Sequence, residues 1–360
     1  MRAAIFRQGD FTVGSIPDPV LAEGQVLVRT RACGICGSDL HAATQTEAFV
    51  DVARRSGGRF AMVQDRDIVF GHEFVGEVVA NGPGTEGRFA PGSLVTSVPL
   101  TIVAQRVEGI GYNPEVPGAF AEYLPLAERM LLPVPAGLDP DHAALVEPMA
   151  VGLHAVEHGR VAAGEAALVV GCGPIGLAVI AALKLKGVAP VIASDFSPAR
   201  RALAARMGAD LVLDPAAEPV AARLEQAITP AGFDGSRYAQ LLGLSPPRQP
   251  VAIFECVGIP GILQQLLELA PAGARIIVVG VCMEPDRFEP FFGIVKQLGM
   301  QFVLGYTPAE FAATLGHMAA GRIDVAPLIT GRVGLDGVRQ AFRDLASPER
   351  HCKVLVEPWR

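Results

Sequence analysis

Ala166-Ala167-Leu168-Val169-Val170-Gly171-Cys172-Gly173-Pro174-Ile175-Gly176 runs five apolar residues into a glycine-rich turn. The run reads as a buried strand, and the residues after the turn, through Lys186, read as helix. G-x-G-x-x-G alone is weak in a chain with 40 glycines, but strand–turn–helix is the setting in which it carries meaning. Gly171 allows the tight turn, Gly173 lets backbone approach a pyrophosphate, and Gly176 lets helix pack on strand. Pro174 and Ile175 open a helix whose first N–H groups and positive dipole end face a phosphate. Asp195 follows Gly176 by 19 residues, close to the ~20 expected of the acid that hydrogen-bonds a ribose 2′-OH. A carboxylate there repels a 2′-phosphate, so NAD is favoured over NADP, with Arg200 and Arg201 nearby as the counter-signal.

Outward from the turn, strands are expected at 188–194, 211–213, 251–255 and 275–280. Helices are expected at 198–207, 220–227 and 261–269. This alternation is the signature of a parallel sheet wound with helices on both faces. Val257 and the run Val279-Gly280-Val281 end later strands, where such sheets bind ligands. Within 215–250, the polar, Pro- and Gly-marked part after the helix reads as an insertion between strands. After about Gly305 the alternation stops.

The first part differs. Gln25-Val26-Leu27-Val28-Arg29-Thr30 alternates like a strand, as does Phe74-Val75-Gly76-Glu77-Val78-Val79. Gly82-Pro83-Gly84, Pro91-Gly92 and Pro117-Gly118 punctuate turns. Short strands with frequent turns suggest a compact barrel-like unit. The chain has 360 residues, beyond the ~250–300 at which single cores split. The reading is a β-rich domain over 1–151, a doubly wound α/β domain over 152–305, and a segment 306–360 that returns to the first. Three apolar segments alone make a poor core.

Half the residues are apolar and net charge is −7, with no basic cluster to suggest nucleic acid or an anionic membrane. The first ten residues lack the apolar run of a signal peptide. The longest weakly charged stretch, 166–183, is broken by glycines and Pro174, so no membrane span is expected. Six cysteines (33, 36, 172, 256, 282, 352) are scattered and read as reduced thiols of a cytoplasmic protein.

The chemistry concentrates in Cys33-Gly34-Ile35-Cys36-Gly37-Ser38-Asp39-Leu40-His41, Gly71-His72-Glu73 and Glu147-Pro148. Zinc prefers S and N donors, and a catalytic site keeps one position open. Cys36 and His72 meet the first need, although only the fold can unite residues so far apart. Asp39 offers an acceptor for the free ring N–H of a ligating His. Glu73 is either a ligand or a movable neighbour. Glu147 lies inside an apolar run, where a buried carboxylate needs a partner. Cys33 reads as a small apolar packing residue. His142, His154, His158, His317 and His351 carry no catalytic motif.

Residues 34–41, 71–79 and 147–155 resemble the zinc-containing medium-chain alcohol dehydrogenases, particularly the sorbitol, butanediol and threonine dehydrogenase branch. The resemblance covers nearly the whole chain. It implies a GroES-like catalytic domain joined to a Rossmann domain, one catalytic zinc, and NAD. By the resemblance Cys36 and His72 are zinc ligands. Glu147 takes the place of the third ligand or its acidic neighbour, and Glu73 that of an alternative. Ser38 would take the alcohol proton, His41 would pass it to solvent, and hydride would go to the nicotinamide. Arg200 would touch the adenosine ribose, and Val257, Val279, Gly280 and Val281 would lie toward the nicotinamide. A homo-oligomer, dimer or tetramer, is implied, as is a small secondary alcohol, diol or ketone substrate.

Two departures from the family stand out. Relatives with a second, structural zinc hold it with four cysteines in a stretch that here, from Gly92 to Tyr123, contains none. A zinc of that type is excluded. The link 44–68 is longer than usual and carries Phe49, Phe60 and Met62. It either reshapes the pocket or forms a solvated excursion. The rival readings are a zinc-independent quinone or enoyl reductase, which lacks the Cys/His/Glu set, and a non-enzymatic NAD-binding protein on the same fold.

Overall fold

In the computed structural model, residues 1–55, 62–63, 65–103, 106–229 and 249–360 are described. Phe60 and most of the polar segment expected as an insertion lie outside the described residues. The chain divides into two compact units, Met1–Ala150 with Thr307–Arg360, and Val151–Tyr306.

The first unit is β-rich and is organised on one long strand, Gln25–Gly34. Its alternation buries Val26, Val28 and Thr30, as period-2 patterning requires. It pairs antiparallel with Glu73–Asn81, Tyr123–Ala127 and Lys353–Val356. The sheet continues through Leu94–Ser97 to Leu131–Pro133 on one side and to Ile329–Val333 on the other. A smaller sheet joins Asp10–Ser15, Arg2–Arg7 and Ile68–Val69. Phe6, Phe11, Phe70, Phe120 and Phe342 form an aromatic core in this unit.

Within this unit the long link is partly helical. Thr46–Arg55 is a helix whose first turn carries Glu47 and whose last turn carries Arg54 and Arg55, matching the helix dipole. It buries Phe49 and Ala53, so this part of the link is built into the core.

The second unit is a six-stranded parallel sheet. Its spatial order is Leu211–Leu213, Val191–Ser194, Ala166–Val170, Val251–Glu255, Arg275–Val278, Gly299–Phe302. Counted in chain order this is 3-2-1-4-5-6, the doubly wound dinucleotide-binding arrangement. Strands 166–170 and 251–255 are buried nearly throughout, as strands covered on both faces must be. Ligands in such sheets bind beyond the strand C-termini where the winding reverses, which here is between Val170 and Glu255. The sixth strand, Gly299–Phe302, was not expected from the sequence. It sits at the sheet edge with Phe302 exposed.

Candidate active site and cofactor turn

Strand register assembles the first site. Gly34 at the end of the central strand stands opposite Glu73, and Leu355 pairs with the same Gly34 from the other side. Three strand ends therefore meet. Cys36 leaves the first, Gly71-His72 enters the second, and Lys353 begins the third. The sulfur of Cys36, a ring nitrogen of His72 and an oxygen of Glu73 all lie within 4.8 Å of one another.

Cys36 caps the helix Gly37–Thr44. Asp39, fully buried in the first turn, folds back so that its Oδ2 accepts from Cys36 N at 3.0 Å. This bond fixes the backbone that carries the thiol. The other oxygen, Oδ1, accepts from the Tyr112 hydroxyl at 2.8 Å and stands 3.3 Å from His72 Nδ1. The His72 contact is a charge contact and not an aligned hydrogen bond, since Nδ1 finds no partner with good geometry among the described residues. Burial alone would lower the His72 pKa, but Asp39 and Cys36 outweigh it and hold it well above 6.5.

Glu73 is not a lone buried acid. Lys353 Nζ donates to both of its oxygens, at 2.8 and 2.7 Å, and to the carbonyl of Ile35 at 3.0 Å. The ammonium thereby uses its three donors on three acceptors, and the 1 %-exposed lysine meets a 0 %-exposed carboxylate. Burial pushes the Lys353 pKa down, yet the Glu73 charge raises it above its ordinary value. Glu147, in the first turn of the helix Val146–His158, is buried but is not among the three mutually close donors. Cys33 is fully buried, and desolvation raises its thiol pKa well above 9.0, which leaves it inert.

Ser38 is half-buried one residue before Asp39 and lies 2.9 Å, oxygen to oxygen, from the Tyr112 hydroxyl. The Tyr112 ring is 5.4 Å from those of Phe49 and His72 and 5.7 Å from that of Phe70. His41 is half-buried, burial lowers its pKa from 6.5, and its Nδ1 has no partner among the described residues. Tyr112 and Lys353 are site residues that sequence reading missed. Tyr112 sits in Ile110-Gly111-Tyr112-Asn113, which reads as a turn. Lys353 did leave a signal, since a cation in the apolar run Cys352-Lys353-Val354-Leu355-Val356 demands a partner.

The second unit holds the glycine turn. Gly171 has φ +92°, open to glycine but strained for other residues, and a side chain there would strike Val257 and Cys256. A Cβ at Gly176 would lie 1.9 Å from the Gly171 carbonyl, so helix and strand approach as closely as this motif demands. Pro174 and Ile175 begin the helix Pro174–Leu185 behind Gly173, with no side-chain cap. Its first N–H groups are therefore offered to a ligand.

Asp195 braces the turn. Its Oδ2 accepts from Cys172 N at 2.7 Å, and its Oδ1 accepts from Ser197 N at 2.8 Å. Arg200 stands 3.9 Å from the same carboxylate and is the side chain nearest the space beside Gly173. Arg201 is committed elsewhere, to Asp214 at 2.9 Å and to the carbonyls of Asp195 and Phe196. Burial and Asp195 push the Cys172 thiol up to about 12. Val257 N donates to Glu255 Oε1 at 2.6 Å, while Val279 N and Gly280 N donate to the Glu255 carbonyl at 2.9 Å. Val257 and Val281 are exposed at the strand ends.

The family profile described as "Alcohol dehydrogenase GroES-like domain" matches residues 22–136, and that described as "Zinc-binding dehydrogenase" matches 174–320. The chain is 30% identical over 369 residues to the (R,R)-butanediol dehydrogenase of Bacillus subtilis (strain 168), covering 99% of this chain and 100% of that protein. The crystal structure of 2R,3R-butanediol dehydrogenase from Bacillus subtilis superposes with a TM-score of 0.80 at 28% identity, covering 99% of each chain. A protein of Sinorhizobium meliloti 1021, solved bound to NADP, superposes at 0.79 with 27% identity, also over 99% of each chain.

Proposed function

The chain belongs to the zinc-dependent alcohol dehydrogenases of the medium-chain family, and from that premise we propose that it interconverts a secondary alcohol or diol and its ketone, with NAD as hydride carrier and one catalytic zinc. The observation that carries this reading is the convergence of a thiol, an imidazole and a carboxylate within 4.8 Å, beside the Ser38 hydroxyl. Sulfur, nitrogen and oxygen donors with a position left open suit a catalytic zinc. Cys36 and His72 would hold it. The third donor would be Glu73, the carboxylate that lies within 4.8 Å of both and is also held by Lys353, or Glu147 in its place. When bound, zinc supplies Lewis-acid polarisation of an alcohol oxygen.

The remaining work falls to the chain's own groups. Asp39 orients Cys36 through its backbone and faces His72 with charge, as partners behind metal ligands do. Ser38 takes the alcohol proton as it gives up its own, and His41, whose pKa is depressed by burial, is in the neutral form able to carry a proton on to solvent. Gly171, Gly173 and Gly176 admit the pyrophosphate. Arg200 takes the adenosine side, and Val257, Val279, Gly280 and Val281 take the nicotinamide side. Asp195 near Arg200 supports NAD over NADP, although a related structure carries NADP.

A cytoplasmic homo-oligomer, dimer or tetramer, completes the proposal. None of the six cysteines is joined in a disulfide. Phe291, Ile294, Val295, Phe302 and Leu304 are exposed together around the edge strand Gly299–Phe302, and an exposed apolar patch beside an open strand edge favours association.

A screen of secondary alcohols, diols and aromatic alcohols with NAD and NADP, followed by absorbance of the reduced cofactor, tests the reading. Turnover with NAD on secondary alcohols or diols is expected. Turnover confined to metal-free protein, or none on any alcohol, would refute it.

A further inference from the structure

Tyr112 joins two groups that the proposed reaction treats separately, the Ser38 hydroxyl and the Asp39 carboxylate. It is 5% exposed, and its oxygen lies 2.8 Å from Asp39 Oδ1 and 2.9 Å from Ser38 Oγ. A phenol has one hydrogen to give, and an ionised carboxylate only accepts. Tyr112 therefore donates to Asp39, and Ser38 must donate its own hydrogen to Tyr112. The Ser38 oxygen is left with its lone pairs facing outward.

We propose that Tyr112 is a positioning residue that fixes Ser38 as a hydrogen-bond acceptor toward the substrate hydroxyl. The inference rests on the reading of Ser38 as the group that meets the alcohol proton. It goes further by giving that hydroxyl a direction. An alcohol arrives as a donor and finds an acceptor already oriented. A ketone arrives as an acceptor, and Ser38 must first release its bond to Tyr112 before it can donate. The chain Ser38→Tyr112→Asp39 thus pre-sets the site for the alcohol. Phe49, Phe70 and His72 surround the tyrosine ring, which holds the phenol in one plane. The same apolar contacts are available to a phenylalanine, so Tyr112→Phe removes the hydroxyl alone.

The test is a cycle of Tyr112→Phe, Ser38→Ala and the double variant, with zinc content and thermal midpoint recorded for each. With Ser38 present, Tyr112→Phe is expected to lower kcat for alcohol oxidation about 10-fold, with KM changed less than about 3-fold, and to enlarge the solvent isotope effect. In the Ser38→Ala background the same change is expected to cost less than about 2-fold, because the residue it acts through is gone. Equal losses in both backgrounds, or no loss in either, would overturn the proposal. Crystal structures supply a readout independent of turnover. Ser38 is expected in one rotamer in the parent and in more than one in Tyr112→Phe, whereas the same single rotamer in both would also overturn it. A parent protein that turns over no alcohol would instead count against the dehydrogenase reading, and the rotamer comparison would still decide the role of Tyr112.

Discussion

Asp39 and Asp195 are both buried carboxylates beside a functional turn, one in each unit. Asp195 gives both oxygens to backbone N–H groups, those of Cys172 and Ser197. Asp39 gives one to the backbone of Cys36 and turns the other toward two side chains, the Tyr112 hydroxyl and the His72 ring. The first arrangement shapes main chain, and whatever binds there meets N–H groups that any sequence supplies. The second arranges the side chains of residues 72 and 112 about the backbone of residue 36, so the identity of those two partners matters. A dinucleotide turn can thus be built from one short segment, whereas a metal centre needs a sheet to deliver its donors.

The largest expected effect is at the donors themselves. Cys36→Ala should lower alcohol turnover by at least about 10³-fold, since the Lewis acid is lost, while NADH binding, followed by fluorescence, changes little. A matching loss of cofactor affinity would break the separation between the two sites. Next comes the buried pair behind Glu73. Lys353→Met leaves that carboxylate uncompensated and should cost about 3–5 kcal/mol in urea unfolding. A double variant that also carries Glu73→Gln should recover part of the loss.

The two aspartates then give a matched pair. Asp39→Asn should weaken zinc binding about 10–100-fold in chelator competition and leave NADH affinity unchanged. Asp195→Asn should raise the NAD dissociation constant about 10-fold, narrow the preference over NADP, and leave zinc content intact. A change in both readouts at either aspartate would contradict this division of roles. The smallest effect concerns pH. Burial lowers the His41 pKa from 6.5, so the base is neutral at and above that pH. The acid limb of kcat/KM for alcohol oxidation should therefore lie below pH 6.5, and His41→Gln should remove it.

Much of this was legible in the sequence, and the exceptions have physical reasons. The Rossmann unit announces itself because its strands are continuous apolar runs and its turn is one contiguous word. Its last strand escaped because Gly299-Met300-Gln301-Phe302 has neither an apolar run nor a buried face. At the candidate metal site, Cys36, His72 and Glu73 stand in recognisable words, and register explains why they meet. Tyr112 was invisible because a lone tyrosine between Gly111 and Asn113 looks like a turn, and its hydroxyl meets Ser38 and Asp39, which lie 74 and 73 residues away in sequence. Lys353 was readable in principle, as a cation in an apolar strand, but its partner Glu73 is 280 residues distant. The link 44–68 was ambiguous because charges alternate with aromatics. Its helix settles Phe49 inward, against Tyr112.

The central claim is that one divalent ion sits on Cys36 and His72 in the working enzyme. Elemental analysis of the purified, full-length protein tests it most directly, with turnover measured on the same sample. The account predicts about one zinc per chain, lost in Cys36→Ala. An active parent protein that contains no zinc, or a Cys36→Ala variant that keeps its full complement, would contradict it.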